Sequence, residues 1–167
     1  IKMFGHDGLM GTQVPISVGY ALGTRQPVIA FMGDASAEEG YVLGALGYAA
    51  TKKAPILFVV CDNGLSILTK KEVRRNWNMA EQAAFGMKAM NISDDPLEIV
   101  EYGKYLKNHL PGLLNIETTR ELWHAGTGRD NEPSDGNRFN LTKQEIKIMG
   151  LVQEADEIEK DMKNGTE

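Results

Sequence analysis

The sequence predicts an α/β fold, a mostly parallel twisted sheet with helices on both faces. Two observations carry this expectation. The runs PVIAFM (27–32) and PILFVVC (55–61) are short, continuous and apolar, as strands buried on both faces are. Such runs alternate along the chain with helix-length segments bracketed by start and stop residues. That order implies right-handed crossovers between parallel neighbours. The length of 167 residues is enough to bury a substantial core.

Taken in order, residues 1–11 are glycine-rich and aperiodic and read as a loop. Thr12 as a cap, Pro15 in the first turn and Gly23 behind the last turn bracket a helix over 13–22. The first strand follows at 27–32. A helix is expected over 38–52, although Gly44 and Gly47 weaken it by about 1 kcal/mol each relative to Ala. These glycines read equally as the approach of a helix, from this chain or another subunit, and as tight local packing. After the second strand, DNGLSILT (62–69) reads as a loop. Asn78 with Glu81 forms a capping box for a helix to about residue 85.

A weaker strand is expected over 87–92. Asp95, Pro96 and Glu98 then combine a cap, a first-turn proline and a third-position glutamate, predicting a helix to about Asn108. GLLNIET (112–118) is the last strand, and 125–140 reads as a polar loop. Thr142 and Glu145 cap a final helix with Ile148, Val152, Ala155 and Met162 on one face. The expected organisation is a ligand-binding domain over 1–140 and a C-terminal helix over 141–167 for packing or a subunit interface.

Bulk properties exclude some function classes. The net charge of −5 and the lack of a basic stripe argue against nucleic-acid binding. The run KKEVRR (70–75) reads as a solvated face. No apolar run approaches the ~20 residues of a membrane span, and no secretory signal pattern is visible. The single cysteine, Cys61, excludes an internal disulfide and fits a reducing compartment, the cytoplasm or an organelle matrix. Its apolar neighbours read as core rather than as the setting of a nucleophile.

The stretch FMGDASAEEG (31–40) carries the chemistry. It places a lone carboxylate, Asp34, at the exit of a buried strand, where a charge is costly unless paired. Asn63 follows 29 residues later, after one strand–helix–strand unit, and so projects from the same sheet edge. In parallel sheets that carboxyl edge is where ligands bind. A carboxylate plus an amide oxygen suits Mg²⁺, which takes one or two protein ligands and completes its shell with water and phosphate oxygens. The small residues Ala35, Ser36 and Ala37 open a helix whose first N–H groups can hold phosphate. Asp34 as a simple helix cap and Asn63-Gly64 as a simple turn are the competing readings. Glu38 and Glu39 read as residues favouring a helix N-terminus. Trp77 and Trp123 read as packing residues, and His109 as a helix-end or surface residue. His6 reads equally as a cofactor neighbour and as a solvated loop residue.

GDASAEEG followed by CDNG resembles the thiamine diphosphate motif, Gly-Asp-Gly, about thirty residues, then Asn. The closer resemblance is to the α subunit of 2-oxoacid dehydrogenase E1 components, such as pyruvate and acetoin dehydrogenases. GHDGLMGTQVPISVGYALG (5–23) is similar to that family's glycine-rich segment, and ETTRELWHAGTGRD (117–130) to its late histidine segment. The resemblance implies a thiamine-diphosphate-binding fold over 1–140, with thiamine diphosphate and Mg²⁺ as cofactors. It implies Asp34, the Asn63 side chain and the Leu65 carbonyl as metal ligands. Gly33 belongs to the same motif. Backbone N–H groups of Ala35 and Ser36 would hold the diphosphate, and Gly8 and Met10 the aminopyrimidine ring. His124 would lie near the thiazolium and is the candidate for proton transfer.

The chain departs from the pattern at Ala35, where the motif has glycine, and at Gly126, where it has histidine. The family's segment ahead of residue 1, with further diphosphate contacts, is absent, so the chain reads as either a fragment or a natural split subunit. The glutamate that activates the cofactor in this family comes from a pyrimidine-binding partner. The resemblance therefore implies a β-type subunit, an α₂β₂ assembly, a small 2-oxoacid substrate and a lipoyl-bearing acyltransferase as acceptor. Two rival readings are a split transketolase-like subunit and a non-catalytic scaffold or regulatory subunit.

Overall fold

Residues 8–120 and 137–164 are described by the computed structural model. Contacts divide the chain into one unit ending at Arg120 and a second beginning at Glu121. The first unit holds α1 (Gln13–Thr24), β1 (Val28–Gly33), α2 (Asp34–Ala37), α3 (Gly40–Lys52), β2 (Ile56–Asp62), β3 (Leu65–Ser66), β4 (Thr69–Lys70), α4 (Lys71–Arg74), α5 (Met79–Gln82), β5 (Lys88–Ser93), α6 (Pro96–Lys107) and β6 (Gly112–Glu117). The second holds α7 (Arg138–Ile148) and α8 (Val152–Asn164).

The four long strands form a parallel sheet in the order β1-β2-β6-β5. Strand residues alternate between the two faces, and each face finds its own helices. On one face Ala30, Met32, Ile56, Phe58, Val60 and Leu113 pack with apolar residues of α1, α3 and α5. On the other, Leu57, Val59, Ile92, Leu114 and Ile116 pack with Leu106, Ile99 and Tyr102 of α6. Helices on both faces of a parallel sheet are what the apolar runs predict.

The α6 start is as expected, with the Asp95 side chain accepting from the Leu97 N–H at 2.7 Å. The Asn78 cap also forms, accepting from Glu81 N–H at 3.1 Å. That helix ends at Gln82, however, because Phe85 (φ 48°) and Gly86 (φ 83°) turn the chain left-handed into β5. Thr12 does not cap α1; its hydroxyl donates to the Leu9 carbonyl at 3.0 Å instead. The helix passes through Gly23 and stops at Arg25 (φ 58°). The loop after β2 contains the small β3–β4 hairpin. The expected last helix is two helices broken at Gly150 (φ 75°), and Asn137, not Thr142, caps the first. Gly47 meets a neighbour from its own chain, since a Cβ there would lie 3.6 Å from the Phe85 ring, whereas Gly44 faces open space. His109 is exposed, stacks on Tyr105 and has its Nδ1 2.7 Å from the Tyr105 carbonyl.

Cys61 is not core. It lies near the carboxyl end of β2, in register with Gly33 of β1 and Ile116 of β6, and is exposed. Burial of its surroundings still pushes the thiol up from its ordinary range. The thiolate is the reactive form, so alkylation by iodoacetamide at neutral pH will be slower than for a free thiol. The rate will rise with pH to a midpoint above that of a model thiol, measured by mass spectrometry of the modified chain.

No described helix is long and apolar enough to cross a membrane.

Candidate functional site

The carboxyl edge of the sheet gathers acidic side chains onto one face. β1 ends at Gly33 in extended conformation, and Asp34 opens α2 immediately, with its carboxylate almost fully buried. β2 lies parallel to β1, with Gly33 opposite Cys61, so Asp34 and Asn63 leave adjacent strands at one edge as predicted. The Asn63 Oδ1 accepts from the Leu65 N–H at 3.0 Å, a tight turn that Gly64 completes at φ 73°. Leu65 is half-buried at the start of β3.

Ala35 sits in helical conformation in α2, so the missing glycine of the motif is not needed for a positive φ here. The Ala35 and Ser36 N–H groups belong to the first turn, which has no acceptors within its own helix. Gly8 and Met10 are exposed, and the Met10 carbonyl accepts from the Tyr41 hydroxyl. His6, Trp123, His124 and Gly126 lie outside the described residues.

Gly11 seats the loop 8–12 on α2 and α3, a role the sequence pattern did not single out. Its φ is 82°, and a Cβ there would lie 2.7 Å from Val42 Cγ2 and 3.2 Å from the Ser36 carbonyl. Gly11→Ala will destabilise the chain by about 1–2 kcal/mol from the left-handed backbone alone. A lowered Tm of roughly 3–8 °C in a thermal melt checks it.

The run 70–75 is solvated only in part: Lys70, Glu72 and Val73 are exposed, but its other three residues are not. Lys71, Arg74 and Arg75 all turn inward onto carboxylates. Lys71 Nζ lies 2.9 Å from Asp62 Oδ2, and Arg75 Nη2 lies 3.1 Å from the same oxygen. Arg74 pairs with Asp34 through Nη2 and with Glu38 through Nη1, the latter at 2.8 Å. Glu38 therefore does more than favour a helix N-terminus: it closes α2 and receives Arg74 and, at 3.5 Å, Arg75 Nε. Three cations thus meet three acids at the sheet edge. Arg75 also lies over the Trp77 ring, 5.0 Å from its centroid. The signal was present in the sequence as a surplus of acids at strand ends, matched by cations spaced to share one loop.

These contacts set the electrostatics. Burial pushes Glu38 above the ordinary carboxylate range, although Arg74 and Arg75 oppose it. For Asp62 burial acts in the same upward direction but is outweighed. The Lys71 hydrogen bond and charge, the Gly64 N–H and Arg75 hold that carboxyl below its ordinary value. Between Asp62, Trp77, Asn115 and Glu117 lies a cavity of about 270 Å³.

The donor set fits a magnesium ion in kind. It offers a buried carboxylate and an amide oxygen at one edge, and the guanidinium on Asp34 shows that this position already takes a cation. Among the described residues no cluster of three or more His, Cys, Asp or Glu offers a rival metal centre.

Comparison with known proteins bears on this edge. The family model for the dehydrogenase E1 component matches residues 1–149, nearly the whole chain. The chain belongs to the dehydrogenase E1 component family. It is 32% identical over 142 residues to the pyruvate dehydrogenase E1 component subunit alpha of Zymomonas mobilis, covering 74% of this chain and 39% of that one. The chain therefore spans about two fifths of the length of the curated relatives it matches. Among solved structures it is similar to a putative thiamin diphosphate-dependent enzyme from Mycobacterium smegmatis, with a TM-score of 0.53 and 28% identity over 67% of this chain and 22% of the other. The fold also matches transketolase from Campylobacter jejuni, with a TM-score of 0.61 and 21% identity over 65% of this chain and 20% of that one. In this E1 family member, Asp34 and Asn63 follow the ends of two neighbouring parallel strands.

Proposed function

We propose that this chain is the diphosphate-binding part of an α-type E1 subunit in a thiamine-diphosphate-dependent 2-oxoacid dehydrogenase. The observation that carries the reading is Asp34 and Asn63 at one carboxyl edge within a chain matching the E1 family over residues 1–149. Asp34, Asn63 and the Leu65 carbonyl would hold Mg²⁺, and the Ala35 and Ser36 N–H groups would hold diphosphate oxygens. Gly8 and Met10 would border the aminopyrimidine ring. When bound, thiamine diphosphate supplies a nucleophilic carbon and an electron sink for decarboxylation of a 2-oxoacid. The chain's own residues bind and orient: Asp34 neutralises the metal, the α2 turn fixes the phosphates, and His124 is the candidate for holding a proton near the reacting centre.

A pyrimidine-binding β-type subunit completes the site in this reading, as an α₂β₂ assembly that passes the acyl unit to a lipoyl-bearing acyltransferase. The setting is the cytoplasm or an organelle matrix. Calorimetric titration of thiamine diphosphate tests the reading, with Mg²⁺ and with EDTA, on the chain alone and with a β-type partner. Binding that requires Mg²⁺, followed by 2-oxoacid decarboxylation once the partner is added, is the expected result. Metal-dependent binding with assembly but no decarboxylation would turn the conclusion to a scaffold subunit, and absence of binding in every arm would refute the cofactor site.

A further inference from the structure

Arg74 occupies the carboxylate that the metal would need. Its guanidinium lies on Asp34 Oδ2, and neither side chain is open to bulk water, with 14% and 3% of their surfaces exposed. A magnesium ion demands a near-octahedral oxygen shell at about 2.1 Å, and a guanidinium on the same oxygen would face it as a like charge. We propose, on the basis of the function read above, that Arg74 is a resident counter-ion that the metal must evict, so that the α4 segment latches the metal-free site shut.

Three features make the latch movable. No residue of α4 is buried, and Val73 is 78% exposed, so the segment is held by charge rather than by packing. The Arg74 Nε is buried without a hydrogen-bond partner, so its seat is incompletely satisfied. The anchors on either side, Lys71 and Arg75, both grip Asp62 rather than Asp34. Arg74 can leave Asp34 while they keep the loop attached. The cavity of about 270 Å³ lined by Lys71, Arg75 and Trp77 gives the segment space to shift.

The latch makes metal affinity a competition. With Arg74 present, a divalent cation displaces an ion pair before it reaches Asp34. With Arg74→Gln, the carboxylate is free of its cation. Binding of Mn²⁺, followed by electron paramagnetic resonance of the free ion, will therefore be at least tenfold tighter in Arg74→Gln than in the wild type. Arg74→Lys, which keeps the charge, will remain within a few-fold of the wild type. In the wild-type chain, Mg²⁺ will accelerate tryptic cleavage after Arg74, a readout that needs no variant to fold. Equal or weaker Mn²⁺ binding by a folded Arg74→Gln chain, with Asp34-dependent binding in the wild type, overturns the latch and leaves the metal site standing. Absence of Mn²⁺ binding in both chains, with thiamine diphosphate present, overturns the metal site and the latch together. An unchanged tryptic pattern on adding Mg²⁺ to a chain that binds it also overturns the latch.

Discussion

Asp62→Ala will destabilise the first unit by about 3–5 kcal/mol, the range for breaking a buried ion pair by removing one partner. The Asp62 side chain is 1% exposed and receives four donors: Gly64 N–H at 3.1 Å, Lys71 at 2.9 Å, Arg75 at 3.1 Å and Asn115 at 3.4 Å. Lys71, 28% exposed, can turn back to water when the carboxylate goes. Arg75, 2% exposed, cannot; it keeps only Glu38 at 3.5 Å and the face of Trp77. An exposed pair would lose no more than about 1 kcal/mol, so the size of the loss separates the two situations. Urea denaturation measures it, with a lowered midpoint at unchanged slope as the expected form. Asp62→Asn keeps the turn to Gly64 and will lose less.

The pH dependence has a definite sign. The native Asp62 carboxyl lies below its ordinary value of 3.8, because Lys71, Gly64 and Arg75 outweigh the upward pull of burial. Its contribution is therefore full above the ordinary value and is lost as pH falls through the native one. The stability gap between wild type and Asp62→Ala will close in acid below about pH 4 and stay open at neutrality.

The elements legible in the sequence are those with local causes. The β1 and β2 runs are apolar without interruption because both faces are covered, and Asp95-Pro96 places a helix start within its own residues. The strand ends then place Asp34 and Asn63 together without any knowledge of side chains. What failed depends on distant partners. KKEVRR looks like solvent-facing charge because its carboxylates lie up to 40 residues away, as Asp34 does from Arg74. Cys61 looks like core because its run is apolar, but its exposure is decided by where α6 stops covering the sheet. The C-terminal segment reads as a single helix because Ile148, Val152, Ala155 and Met162 keep helical phase across Gly150, which leaves the helix at φ 75°.

Asp34→Ala will abolish metal-dependent binding of thiamine diphosphate, weakening it ~100-fold or more, since even residues that only support metal ligands are worth 10–100-fold. The argument rests on where the charge sits. Asp34 is the only acidic side chain in the proposed donor set; Asn63 and Leu65 offer neutral oxygens, and a neutral pair holds Mg²⁺ poorly against water. Glu38 does not substitute, because burial holds its pKa above the ordinary range and Arg74 and Arg75 already share its carboxylate. Stability will respond far less than binding, since Arg74 retains Glu38 at 2.8 Å after Asp34 is gone. The two readouts therefore diverge, with calorimetric binding lost and the thermal midpoint nearly kept. Saturating Mg²⁺ and thiamine diphosphate at about 100 times Kd will stabilise the wild type by roughly 2.7 kcal/mol in a thermal melt and leave Asp34→Ala unmoved. A variant that still gains stability from the cofactor would place the metal ligand elsewhere on the edge. A variant that loses stability as heavily as Asp62→Ala would make Asp34 chiefly the partner of Arg74.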